Sequence, residues 1–165
     1  MGNSMNVFAT NLDAKQCALE HCHVHRNKML IEYAQLLSSA NHLLGKGNDN
    51  MYKITHQHHP STKWVVSDAG NYAWLYDMWS ELAALYAKHR GRQHKSYEKL
   101  KDVLRPTSDS KPNFKYSMLA MPDEYKSNDI AASYQNYLRS KFAEWRSRER
   151  PMKVEFDVVP QWSVV

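Results

Sequence analysis

The side chains able to do chemistry fall into four groups along the chain. The first is His21, Cys22, His23 and His25. In a helix His21 and His25 stand four apart on one face, a spacing zinc can use, and His56, His58 or His59 could complete a ligand set. Nine histidines in 165 residues also cluster by chance, and no metal and no cofactor is assigned. The second group is the basic stretch Lys88-His-Arg-Gly-Arg-Gln-His-Lys95, continued by Lys99, Lys101 and Arg105 and diluted only by Glu98 and Asp102. Cations at a helix end and in the turn after it reach phosphates while the helix behind stays rigid. Such contacts confer affinity without sequence preference and are screened by salt. Lys88, Arg90, Arg92 and Lys95 are the phosphate-binding candidates, against the plainer reading of a solvated helix C-terminus whose dipole favours cations.

The third group is aromatic: Trp64, Tyr72, Trp74, Tyr76, Trp79 and Tyr86. On a helix these cannot all face one core. Trp74 and Tyr76 fall off the main stripe, so they are candidates to stack on bases or to plug a duplex after a base has flipped. Packing against a neighbouring loop is the alternative. The fourth group is acidic. Asp123 and Glu124, in Met121-Pro-Asp-Glu-Tyr125, could bind a cation or act as acid and base, and capping the next helix is the cheaper explanation. Glu32 and Glu81 each lie inside a helix among apolar neighbours, where a carboxylate is either paired or raised in pKa. With His25 and His94 they form the candidate catalytic set. No Gly-rich phosphate loop, nucleophile elbow or dinucleotide fingerprint is present.

Helices must position these groups. Asp13 followed by Gln16 reads as a capping box opening a helix to about His21. A second runs from Val24 to Leu44, with Met29, Tyr33, Leu36, Leu37, Ala40, Leu43 and Leu44 on one side, and Gly45 and Gly47 stop it. Residues 45–66 read as a long connection. Ser67 caps a third helix, Asp68 to Arg90, closed by Gly91, with Tyr72, Leu75, Trp79, Leu82 and Tyr86 as its core stripe. A shorter helix covers Gln93 to Val103, and Pro106 to Pro122 is loop. Ser127 opens a last helix to Arg148, whose apolar set is Ile130, Ala131, Tyr134, Tyr137, Leu138, Phe142 and Trp145. Met152 to Val158 alternates apolar and charged residues at the period of a half-buried strand, and Asn6 to Thr10 could be its partner. The expected fold is mainly α, a single-domain helical bundle with a minor two-stranded sheet pairing the termini.

Composition sets the outer bounds. One domain of this length buries a core without staples. Lys and Arg number 22 against 17 Asp and Glu, a formal net charge of +5, which favours polyanions. Two cysteines five apart, Cys17 and Cys22, suit a disulfide poorly and read as reduced thiols in a cytoplasmic protein. No apolar run reaches the roughly 18 residues of a membrane helix, so no membrane partner is expected. The first residues lack the pattern of a secretory signal. Met1–Ser4 reads as an addition ahead of a start at Met5.

The order His59-Pro60, Trp64, Asn71-Tyr72, Trp74-Leu75, His94-Lys95-Ser96 and Met121-Pro-Asp-Glu-Tyr-Lys126 resembles a family of small phage-encoded helical proteins, over nearly the whole chain. That resemblance implies a phage setting and a host cytoplasm. Cys22-His-Val-His-Arg-Asn-Lys28 departs from it, standing where members show an Asp-Lys-His segment. The chain is also similar, in shorter strings, to the phage pyrimidine-dimer DNA glycosylases. The strings are Met29-Leu-Ile-Glu-Tyr-Ala-Gln-Leu36, Tyr76-Asp-Met-Trp-Ser-Glu-Leu82 with Lys88-His-Arg-Gly91, and Met121-Pro-Asp-Glu-Tyr125 with the Gln135–Arg146 helix. This second resemblance implies DNA as partner and base flipping. It departs at Gln35, where the family's glutamate would fall, with Glu32 one turn earlier, and a start at Met5-Asn6 would misplace the family's nucleophilic amine. The expectation is therefore a phage DNA-acting enzyme working on a flipped base, glycosylase/lyase-like or base-modifying. The alternative is a non-catalytic phage protein that binds nucleic acid or a host factor.

Overall fold

A computed structural model describes residues 6–115 and 119–164; the proposed addition Met1–Ser4 lies outside the described residues. Among the described residues six α-helices follow in chain order, besides two short 3-10 turns: α1 Ala14–Leu19, α2 His23–Leu43, α3 Pro60–Ser67, α4 Ala69–Arg90, α5 Lys95–Leu100 and α6 Ile130–Ser147. The chain is mainly helical, as expected. α4 is central and packs against α1, α2 and α3, while α2 also packs against α3 and α5. No helix among the described residues is long and apolar enough to cross a membrane.

The helix ends follow from local chemistry. Asp13 caps α1 through Oδ2, which accepts from the Gln16 amide at 2.9 Å. The Gln16 side chain does not reach back to close a capping box; it bonds Glu20 instead, at 3.3 Å. Gly91 ends α4 in the left-handed region, φ 73°, where a Cβ would be strained. Two capping residues differ from the expected ones: Asp68, rather than Ser67, caps α4, and Asp129, rather than Ser127, caps α6; the other helix ends shift by one to three residues.

The His-rich connection hides a helix. Pro60 occupies the first turn of α3, where its missing N–H costs nothing, and His59 caps it through Nδ1, which accepts from Ser61 N–H at 3.0 Å. By sequence the stretch reads as loop because its polar start masks the short apolar face of Trp64 and Val65, both fully buried.

The expected two-stranded sheet is overturned, since no strand occurs among the described residues. Residues 6–10 are buried beneath the helices, and side chains serve their backbone. Phe8 N–H donates to Tyr33 Oη at 3.3 Å, Phe8 O accepts from the Cys17 thiol, and Thr10 O accepts from Gln135. The tail finds its partner elsewhere, at the start of α2, where Glu155 O accepts from His23 N–H at 2.7 Å. Both segments carry apolar residues, but each has a helix closer to it than the other segment.

The core is aromatic and interlocked by polar tips. Trp79, fully buried, donates its indole N–H to Leu30 O at 2.9 Å, which ties α4 to α2. α6 lays Phe142 against Trp162 of the tail and Trp145 against His25.

Candidate nucleic-acid interface

Three chain segments meet at one end of the bundle: the last turn of α4, the first turn of α2, and the tail around residues 155–158. Lys88, Arg90, Arg92 and Lys95 are exposed there, with His89 beside them. Lys88 and Arg90 lie in the last turn of α4, whose unsatisfied carbonyls favour cations, while Lys95 opens α5. Arg90 lies over the Tyr86 ring, 5.5 Å from its centroid, which stiffens an otherwise free side chain. The basic stretch is thus a surface, with the rigid α4 behind it.

A cleft of about 480 Å³ opens beside that surface, lined by Leu19, Leu85, Lys88, His89, Asp157 and Val158. His89 lines it, and the His23 ring stands beside His89, with centroids 5.0 Å apart. His23 Nε2 meets Asp157 Oδ1 at 2.9 Å, with both side chains partly exposed. Arg26, buried behind them, donates from Nη1 to both oxygens of Asp157 at 3.3 and 3.2 Å. Partial burial opposes ionisation of Asp157, but the His23 bond and the Arg26 charge overcome it and hold the carboxyl below its ordinary range. The end of the molecule is therefore strongly cationic, with a carboxylate set into the cleft wall.

The nominated acid and base residues scatter. Glu32 is buried on α2, with Lys28 Nζ 3.9 Å from Oε2. Glu81 is half-buried on α4, one turn after Asp77, whose carboxyl is raised by partial burial and by the Glu81 charge. Neither lines the cleft. His94 caps α5, with Nδ1 accepting from Ser96 N–H at 3.2 Å, and partial burial pushes its imidazole below its ordinary value. It acts as a neutral cap, close to the basic surface but turned into the helix start.

His25 is an aromatic of the core. It stacks on Phe8, 4.3 Å between centroids and 17° between planes, with Trp145 edge-on at 5.2 Å. Burial first, then the charges of His21, Lys141 and Lys28, hold it well below the ordinary histidine value. His21 is equally committed. Its Nδ1–H donates to Cys17 O at 2.8 Å, and its Nε2 accepts from Tyr33 O–H at 2.7 Å. Tyr33 Oη accepts from Phe8 N–H, and the Cys17 thiol donates to Phe8 O. The four residues form a closed, buried ring of hydrogen bonds. Both His21 nitrogens are used in it, and no group of three or more His, Cys, Asp or Glu among the described residues is placed to share a metal ion.

The stacking candidates are corrected. Trp74 is 3% exposed, donates to Leu12 O at 2.8 Å and packs edge-on against Phe114. Tyr76 is 7% exposed and donates to Lys101 O. Both sit off the main stripe because α4 is covered on several sides, so a second apolar face finds partners of its own.

Two residues of this end are not singled out by sequence reasoning, Arg26 and Asp157. His23 belongs to the histidine group and His89 to the basic stretch, though neither is named there for the role it has here. Asp157 lies 134 residues from His23 and 131 from Arg26, and its segment reads as a strand. Compared with family models, with curated proteins and with solved structures, the chain matches none.

Proposed function

We propose that this chain binds DNA at the basic end of the bundle and draws one nucleotide into the adjoining cleft, where it excises or modifies the base. The observation that carries the reading is the cleft itself. At about 480 Å³ it falls within the roughly 300–1,000 Å³ of small-molecule sites, and Lys88, the first of the exposed cations at this end, lines it. Lys88, Arg90, Arg92 and Lys95 take the phosphates. His89 lines the cleft with His23 beside it, and imidazole is the side chain suited to exchange a proton near neutral pH. The resemblance to phage-encoded proteins supports an infected bacterial cell as the setting.

A second reading, a protein that covers nucleic acid without turnover, is favoured by one observation: neither Glu32 nor Glu81 lines the cleft. Binding to single- and double-stranded DNA across a salt series, with assays for abasic sites and strand cleavage on plain and damaged duplex, separates the two. Product that disappears in His23→Ala or His89→Ala while binding persists is the expected result. Binding with steep salt dependence and no product on any substrate would establish the second reading, and no binding at low salt would remove both.

A further inference from the structure

We propose that the DNA interface extends onto a second group of cations, Arg146, Arg150 and Lys153 at the end of α6, and that the two groups together hold the two strands of a duplex. This rests on the DNA reading above. All three side chains are exposed, and among the described residues none of them forms an ion pair. Glu144 is taken by Arg148, at 2.6 and 2.7 Å, which leaves Glu149 to dilute the group.

A helix dipole accounts for only one of the three. It favours Arg146, in the last turn of α6, but its influence fades within that turn. Arg150 and Lys153 lie beyond the helix, on either side of Pro151. Cations gathered there serve no helix end.

Their place in the fold is the second observation. His89, in the last turn of α4, meets His23 with ring centroids 5.0 Å apart. Trp145, in the last turn of α6, meets His25 edge-on at 5.2 Å. His23 and His25 are two residues apart in the first turn of α2, so their side chains leave nearly opposite sides of that helix. The ends of α4 and α6 therefore flank the start of α2, their axes separated by about two helix-to-helix spacings, on the order of 20 Å. The tail joins the two ends. Met152 N–H donates to Trp145 O at 3.2 Å, Glu155 O accepts from His23 N–H at 2.7 Å, and Val158 lines the cleft. Lys153 thus stands on the span between them.

That spacing selects the partner. A single strand carries one row of phosphates and follows one group of cations. A duplex carries two rows, facing each other across a major groove about 12 Å wide, and side chains as long as Arg and Lys cover the difference. A flat anionic surface such as a membrane would press on Glu155 and Asp157, both exposed along the tail between the two groups. A groove leaves those carboxylates clear of phosphate.

The test is binding of the full chain to a short oligodeoxynucleotide duplex, and to one of its strands, by fluorescence anisotropy across a salt series. Replacing Arg146, Arg150 and Lys153 together by alanine should weaken duplex binding about thirtyfold at low salt, and lower the log–log salt slope by about 0.9 for each phosphate no longer neutralised. Single-strand affinity should fall by less than about threefold. Arg146→Lys with Arg150→Lys should bind the duplex as the unaltered chain does. Lys46→Ala, Lys53→Ala and Lys63→Ala together, an equal charge change at exposed positions beyond the far end of α2 and on α3, should leave both affinities nearly unchanged. Equal losses in the two triple variants, or a loss shared equally by duplex and single strand, would overturn the second group and leave DNA binding standing. Binding to phosphatidylserine vesicles that falls in the α6 triple variant while duplex binding holds would give these cations to a membrane surface and overturn the duplex interface. No binding of the unaltered chain to either DNA would remove the reading above and the duplex interface with it.

Discussion

His21 and His23 are separated by one residue and belong to opposite environments. His21 sits in a dry ring of hydrogen bonds with Tyr33, Phe8 and Cys17, and burial pulls its imidazole down to about 4. His23 stands partly in water beside a carboxylate supplied from the far end of the chain. The residue type is the same, yet one histidine holds the fold and the other faces a cleft. The turn between α1 and α2 makes the difference, because it carries the chain from the core to the rim within three residues, Glu20 to Cys22. A histidine cluster in a sequence is therefore not a site until the backbone between its members is known.

The largest effect that can break this comparison is acid destabilisation. A base whose pKa is depressed in the fold stabilises it above the unfolded value and loses that contribution as pH falls from 6.5 through about 4. For a shift of this size the loss is roughly 3 kcal/mol, and His25 acts in the same direction. Asp157, depressed below 3.8, keeps its contribution until the pH falls below that value. Urea unfolding across the interval from pH 6.5 to 4 should show a steep fall, and a flat profile would contradict the buried ring.

Next in size is the basic end. Replacing Lys88, Arg90 and Arg92 together by alanine should weaken DNA binding about a hundredfold at low salt, and should lower the log–log salt slope by about 0.9 for each phosphate no longer neutralised. Unfolding free energy should change by less than about 0.5 kcal/mol. Filter binding and urea melts on the same preparations would separate interface from core.

Trp74→Phe reverses that pattern. It removes the bond to Leu12 O and some packing, at a cost of about 1–2 kcal/mol, while DNA affinity stays level. An affinity loss with unchanged stability would return Trp74 to the role of a stacking platform. The smallest effect belongs to Glu81→Gln. It relieves the repulsion with Asp77 on α4 and should alter stability by under about 0.5 kcal/mol with turnover intact, whereas loss of turnover would move the reaction away from the cleft.

Much of the fold is legible because it is written in local chemistry. α2 and α4 show in the apolar spacing, and Gly91 and the Asp13 cap act within a few residues of themselves. α3 escapes because His59 caps it with a ring nitrogen, a use of histidine that composition does not suggest. Half of the candidate site is legible for the same reason as the long helices. Lys88 to Lys95 are neighbours in sequence, so their charge adds up on inspection.

By itself the sequence determined a helical, basic chain with its cations gathered after one long helix, since periodicity, caps and charge density are properties of short windows. Only the tertiary structure decided which polar groups face water. Trp74, Tyr76 and His25 went inward because other elements cover the sides of their helices on which they lie. Asp157 came to Arg26 because the tail, lacking a strand to pair with, lies along the start of α2. Burial is a sum over distant neighbours, and no short window of residues contains it.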